Sequence, residues 1–287
     1  MATAITVKSL LKMKQDQQPI AMMTAYDFPT AHLLDEAGIH VLLVGDSLGM
    51  VVQGQTTTLP VTLDDMVYHT RMVARAAKTA LVVADLPFMS YQISAEQALT
   101  SSARLMKEAG AQAVKLEGGK EVVETVQALV TSGVPVMGHL GLTPQSVHAL
   151  GGFSVQGRTL EQAQRIFADA QALEKAGAFA IVLEMVPVEL AHSISQRLSI
   201  PTIGIGAGTL CDGQVLVFHD MTGFTSGYIP RHNKRYANLA DIIQSAARQY
   251  ITDVSERSFP GEEQTAHLSE EQLQQWNEYL ATSGKED

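Results

Sequence analysis

Three carboxylates in this chain stand at the ends of short apolar runs: Asp46 closes VLLVGD, Asp85 closes LVVAD and Glu117 closes AVKLE. Oxygen donors of this kind are what hard cations such as Mg²⁺ take as ligands. Gathered without a cation, three carboxylates repel and raise one another's pKa; a shared divalent ion removes that cost. Each residue also has a plain structural reading, as a helix N-cap or a loop ion pair, because Asp is common just after a strand. Zinc is disfavoured, since no Cys/His cluster with ligand spacing is present.

Lys115 precedes Glu117 by two residues, so on one strand both side chains point the same way, into a barrel. A buried lysine needs a partner. That partner is a substrate carboxylate, or Glu117 or a nearby Asp in a structural ion pair; a Schiff-base role is a third option. His139 ends PVMGH and reads either as a substrate contact or as a hydrogen-bonded core residue. Ser47 follows Asp46 and offers an anion contact or a turn cap. Glu184 closes AFAIVLE beside Met185 and Val186. A carboxylate in such apolar surroundings has a raised pKa, as a general base at neutral pH needs; pairing with Lys or Arg is the alternative. Tyr26 and His219–Asp220 are further polar strand ends that nothing specific singles out. A divalent ion, an anion-holding lysine and a carboxylate base are together the parts needed to ionise the carbon beside a 2-oxo acid's carbonyl.

Positioning such residues on one rim requires parallel strands. Eight candidate strands run Ile20–Thr24, His40–Gly45, Ala80–Asp85, Ala113–Glu117, Pro135–His139, Ala178–Glu184, Thr202–Ile205 and Val215–Phe218. Most are continuous apolar runs, the mark of strands covered on both faces. Between them the spacing predicts helices over Phe28–Ala37, Leu63–Ala77, Ser94–Ala109 and Leu160–Ala176. The refrain Glu/Lys-Ala-Gly followed by a strand occurs three times, in DEAGIHVLLV, KEAGAQAVKL and EKAGAFAIVL, and each glycine closes a helix. Eight such units favour a closed α/β (β/α)₈ TIM barrel over an open doubly wound sheet, and no G-x-G-x-x-G follows the first strand. GIGAG at Gly204–Gly208 reads equally as a phosphate cradle or as a close backbone wall. A further helix is expected over Ala237–Tyr250, then a polar acidic tail. In the tail, Leu268, Leu273, Trp276 and Leu280 give a weak apolar stripe, suited to a surface or subunit contact. The expected division is one barrel domain over 1–260 with the tail at 261–287.

The chain has 287 residues, 46% of them hydrophobic, which is ample for one large core. A net charge of −10 argues against nucleic acid and anionic membranes as partners. The single Cys211 cannot form an internal disulfide, in keeping with a reducing cytoplasm. Neither a secretory leader nor a membrane span is expected from the apolar run lengths.

The segments MMTAYDFPTAHLLDEAG, LLVGDSLGMVVQGQTTTLPVTLDDM, VKLEGG, GVPVMGHLGLTPQS, ALEKAGAFAIVLEMVP and PTIGIGAGTLCDGQVLVFHD resemble, in order from about Met22 to Pro230, the ketopantoate hydroxymethyltransferase family. The resemblance implies a barrel of the phosphoenolpyruvate/pyruvate type. It also implies transfer of a one-carbon unit from 5,10-methylenetetrahydrofolate to 3-methyl-2-oxobutanoate, at the start of pantothenate synthesis. It implies Mg²⁺ held by Asp46, Asp85 and Glu117, oxo-acid contacts at Asp46, Ser47, Asp85, Lys115 and His139, and proton removal by Glu184. It implies a homodecamer as well. A lyase or mutase of the same superfamily would share the carboxylates but typically carries a loop cysteine, for which Cys211 in GTLCDG is poorly placed. A catalytically dead scaffold would have lost one of Asp46, Asp85, Lys115 or Glu184, and all are present.

Overall fold

The computed structural model describes residues 3–225 and 233–283. The far end of the resembling stretch, at Pro230, and the last four tail residues lie outside the described residues. Eight parallel strands close into a barrel in sequence order: β1 (Ile20–Thr24), β2 (Val41–Val44), β3 (Leu81–Asp85), β4 (Ala113–Glu117), β5 (Val136–Gly141), β6 (Ala180–Glu184), β7 (Thr202–Ile205) and β8 (Gly213–Leu216). The helices are α1 (Val7–Gln15), α2 (Phe28–Glu36), α3 (Leu48–Val51), α4 (Leu63–Ala76), α5 (Ala95–Ala103), α6 (Val123–Thr131), α7 (Leu160–Lys175), α8 (Val188–Arg197), α9 (Phe218–Thr222), α10 (Leu239–Ser255) and α11 (Glu270–Ser283). The expected (β/α)₈ barrel is the observed one.

Local chemistry accounts for the helix ends. Thr62 and Thr159 accept from the backbone N–H three residues on, and Asp65 and Gln162 reach back to close capping boxes. Asp27 and Ser94 cap α2 and α5 in the same way, without the return bond. The refrain glycines Gly38, Gly110 and Gly177 take φ of +87°, +83° and +98°, a left-handed turn that lets each helix stop and the next strand begin. The helix expected over Ser94–Ala109 is α5 running into a π-helical turn, Arg104–Glu108; there Leu105 is buried and Arg104 binds Asp64 of α4 at 2.8 Å.

The eighth strand differs from expectation by two residues. It is Gly213–Leu216, not Val215–Phe218, because Gly213 and Gln214 pair with Ile20 and Ala21. Phe218 instead gives its N–H to the Thr24 hydroxyl and opens α9. Inside the barrel, Met22, Val41, Leu43, Val83, Met137 and Ile203 form one apolar cluster. Leu10 and Met13 of α1 belong to it and plug the end where the strands begin. Lys14 of α1 binds Asp212 Oδ2 at 2.7 Å and the Ser195 carbonyl at 2.8 Å at that end. The outward faces pack against the helices in a second, larger cluster. Contacts divide the chain into two units, Met1–Ala237 and Asn238–Asp287. The second unit holds α10, α11 and a 3₁₀ turn at Glu262–Gln264 between them. Among the described residues no helix is long and apolar enough to cross a membrane.

Candidate active site

Alternation along the strands decides which side chains enter the barrel mouth. In β4, Ala113 faces the interior cluster while Val114 and Leu116 face the helices, so Lys115 and Glu117 share the inward side. The same parity turns Asp85 inward after Leu81 and Val83, His139 after Met137, and Glu184 after Ala180 and Val182. Asp85, Glu117 and Glu184 finish β3, β4 and β6, and His139 stands two residues before the end of β5. Register completes the arrangement, setting Asp85 opposite Lys115 and Glu117 opposite His139.

Lys115 Nζ lies 2.8 Å from Asp85 Oδ1. The other oxygen, Asp85 Oδ2, accepts the Asp46 N–H at 3.1 Å. The Asp46 backbone therefore lies against the Asp85 carboxylate. His139 Nδ1 is 3.3 Å from Glu117 Oε1, and its Nε2 is 3.2 Å from Glu184 Oε2, at ion-pair distance but off the hydrogen-bond axis. The Asp85, Lys115, Glu117 and His139 side chains are 3–5% exposed, whereas Glu184 is 17% exposed. Glu184 is thus the member of the group that reaches furthest into the mouth. Ser47 Oγ bonds the Tyr26 hydroxyl at 2.8 Å and makes no helix-capping bond.

None of Asp46, Asp85 and Glu117 caps a helix; their oxygens meet Gln145, Lys115, the Asp46 amide and His139. Lys115 pairs across strands with Asp85 rather than along its own strand with Glu117. Burial works against its charge, but Asp85, Glu117 and Asp46 outweigh burial and hold the ammonium up above its ordinary range. A lysine held cationic in this way is a poor Schiff-base nucleophile. Glu184 stands at the mouth with its Oε2 3.2 Å from the His139 imidazole. Cys211 lies outside the wall, against Gly204 and within reach of the Ser195 and Thr202 hydroxyls, remote from the rim. In GIGAG, a Cβ at Gly208 would run into Val188, so that glycine serves close packing onto α8.

The charges are strongly perturbed. Burial, then the charges of Asp85 and Glu117, push the Asp46 carboxyl well above the carboxylate range. Burial also raises Asp85, with Lys115 opposing. For His139, burial and Lys115 oppose protonation, yet Glu117 and Glu184 prevail and lift it to about 9. Four carboxyl groups (Asp46, Asp85, Glu117, Glu184) stand against two basic groups (Lys115 and His139), an excess of two acidic groups. Oxygen donors with that excess fit a hard divalent cation in kind and in charge. No three His, Cys, Asp or Glu side chains among the described residues already surround one point as a ligand set. The carboxylates are held instead by lysine, amide and imidazole.

Two residues of the site carry no signal in the sequence. Gln145 follows Pro144 in the turn after β5 and is 4% exposed. Tyr91, after β3, places its hydroxyl 2.9 Å from the Glu117 carbonyl and 2.8 Å from Gln145 Oε1. Burial raises its pKa. Both sit in loops, where no periodicity marks a buried polar group. Tyr26, one of the unassigned strand ends, joins the site through Ser47. Its hydroxyl is likewise raised by burial, and its ring lies 5.6 Å from that of His219.

A closed parallel barrel that gathers carboxylates, a lysine and a histidine where its strands finish defines an α/β-barrel enzyme. Solved structures share the fold at low identity. Phosphonopyruvate hydrolase in complex with oxalate and Mg²⁺ aligns with a TM-score of 0.58 at 13% identity, covering 98% of this chain and 99% of that one. A 2,3-dimethylmalate lyase of the PEP mutase/isocitrate lyase superfamily aligns at 0.55 and 17%, covering 99% of each. Residues 4–262 match the profile of the family described as ketopantoate hydroxymethyltransferase. The 3-methyl-2-oxobutanoate hydroxymethyltransferase of Carboxydothermus hydrogenoformans is 56% identical over 94% of this chain and 98% of its own length. That of Chloroflexus aurantiacus is 55% identical over 94% and 95%. The chain belongs to the ketopantoate hydroxymethyltransferase family.

Proposed function

We propose that the protein transfers a hydroxymethyl group from 5,10-methylenetetrahydrofolate to 3-methyl-2-oxobutanoate, with water consumed and 2-dehydropantoate and tetrahydrofolate released, as the first step of pantothenate biosynthesis. The observation that carries this reading is identity above half, over nearly the whole chain, to proteins named for that reaction.

Asp46, Asp85 and Glu117 are the residues that would hold Mg²⁺, which when bound polarises a 2-oxo acid's carbonyl and eases ionisation of the adjacent C–H. Lys115, kept cationic by Asp85, attracts the acid's carboxylate, and Ser47 adds a hydroxyl oriented by Tyr26. Glu184, the most exposed carboxylate of the group, accepts the C3 proton. His139 stands behind it at 3.2 Å and orients it. The deprotonated C3 carbon then adds to the one-carbon unit.

Glu184→Gln is expected to slow deuterium exchange at C3 of 3-methyl-2-oxobutanoate by at least about 100-fold while leaving oxo-acid binding within a few-fold. Exchange at the native rate in that variant would remove Glu184 as the base. Product formation is expected with Mg²⁺, to stop with a chelator and to return when Mg²⁺ is restored. On the same family resemblance we expect a cytoplasmic homodecamer; light scattering of the purified protein checks the ten-chain mass.

A further inference from the structure

We propose that Gln145 is a positioning residue that sets the Asp46 and Glu117 carboxylates for a cation, and that Tyr91 holds it in place. The inference rests on the reading above that these two carboxylates bind the metal.

Gln145 hydrogen-bonds both carboxylates. Its side-chain Nε2 donates to Asp46 Oδ2 at 2.8 Å, across 99 positions of sequence, and its backbone N–H donates to Glu117 Oε2 at 3.0 Å. A primary amide has two N–H protons and two acceptor lone pairs. Both protons are used, the second by the Leu86 carbonyl at 2.9 Å. The Oε1 atom faces the Tyr91 hydroxyl at 2.8 Å and Gln92 Nε2 at 3.2 Å. That arrangement fixes which way round the amide sits. Turned over, it would set Oε1 against the Asp46 carboxylate and the Leu86 carbonyl, which are both acceptors. Tyr91 is itself tied to the strand end it serves, accepting the Glu117 N–H at 3.1 Å.

The residue type matters as much as the position. Asp85 is held by a cation, Lys115, and so is partly neutralised. Asp46 is held by a neutral amide. An amide orients a carboxylate through a charge-assisted hydrogen bond without cancelling its charge. A lysine or arginine at 145 would hold Asp46 equally well but would compete with a bound cation. Gln145 therefore aims the Asp46 carboxyl without placing a competing cation beside it.

The test is Mn²⁺ titrated into the full-length protein, with free Mn²⁺ followed by electron paramagnetic resonance. Gln145→Met keeps the length and removes the amide. It is expected to weaken Mn²⁺ binding by about 10–100-fold, the usual consequence of removing a group that orients a ligand. The Mg²⁺ concentration for half-maximal turnover should rise in step, and kcat at saturating Mg²⁺ should return to within a few-fold of the parent protein. A merely structural role would lower the active fraction without moving that half-saturation point. The double variant Asp46→Asn with Gln145→Met should bind Mn²⁺ no more weakly than Asp46→Asn alone. Native Mn²⁺ affinity in Gln145→Met overturns the proposal. Should that variant not fold, Tyr91→Phe decides: several-fold weaker Mn²⁺ binding supports the proposal and native affinity overturns it. A parent protein that takes up no Mn²⁺ would instead defeat the metal reading itself, and this inference with it.

Discussion

Asp35 and Asp46 are buried alike, 6% and 4% exposed, yet the two ends of the barrel treat them in opposite ways. Asp35, on α2, faces the segment that leads into β3. It accepts from the backbone N–H groups of Lys78, Thr79 and Ala80 at 3.0, 3.0 and 2.7 Å and from the Thr79 hydroxyl at 3.0 Å. Burial acts to raise its pKa, but those four donors prevail and hold it below the ordinary carboxylate value. Asp46, at the finishing end, has Gln145 as its side-chain donor and Asp85 and Glu117 as charged neighbours, and it is pushed up. Burial alone therefore does not tell a structural carboxylate from a chemical one. What separates them is whether the surroundings complete the charge or leave it uncompensated for something that binds.

The contrast breaks most sharply on Asp46→Asn. Activity is expected to fall by about 10³-fold, roughly 4 kcal/mol of barrier. The melting temperature without Mg²⁺ should stay level or rise, because a repelling charge has left a crowd. A clear loss of stability in that variant would make Asp46 a second Asp35. The converse is Asp35→Ala, which strands buried N–H groups and should cost about 3 kcal/mol in denaturant unfolding. Its turnover per folded molecule should match the parent; a selective loss of turnover would bring the lower end of the barrel into the chemistry.

Mg²⁺ itself is a smaller lever. At about 100 times its Kd it should add roughly 2.7 kcal/mol to the unfolding free energy of the parent protein and nearly none to Asp46→Asn. Equal shifts in both, seen by calorimetry, would mean the ion binds elsewhere. The smallest effect is the pH dependence of Asp35. Its folded-state pKa is depressed, so its contribution is complete above the unfolded value and fades as pH falls through the folded one. In the metal-free protein Asp46 and Asp85 have the opposite sign. Their folded-state values are raised, so stability falls as pH climbs from the unfolded value toward the folded ones. Unfolding free energy of Asp35→Asn and of the parent, compared in mildly acid buffers, should converge toward low pH. Parallel curves would show that Asp35 is not anchored as the hydrogen bonds indicate.

Much of this was legible along the chain. The strands read well because each lies between helices and interior and so carries an unbroken apolar run. The eighth read two residues late, since its first positions, Gly213 and Gln214, are recruited by pairing with β1 rather than by their own hydrophobicity. Alternation sent Lys115 and Glu117 inward together, as it had to on one strand. Helix α1 is not among the helices that the sequence pattern predicts. Its role as a plug depends on Leu10 and Met13 finding the open end of a barrel built from later residues. Gln145 and Tyr91 were passed over because a buried loop amide or phenol looks, in sequence, like an exposed one.

The order of residues by itself determined which groups carry charge, which strands finish on them and which way those side chains face, because rise and alternation are properties of neighbouring peptide units. Tertiary structure alone decided that Lys115 answers Asp85 rather than Glu117, that His139 spans Glu117 and Glu184, and that an amide 99 positions away steadies Asp46. Those pairings follow from the register at which the sheet closes. Register fixes distances between remote segments to within an ångström, and no pattern within a single segment contains that information.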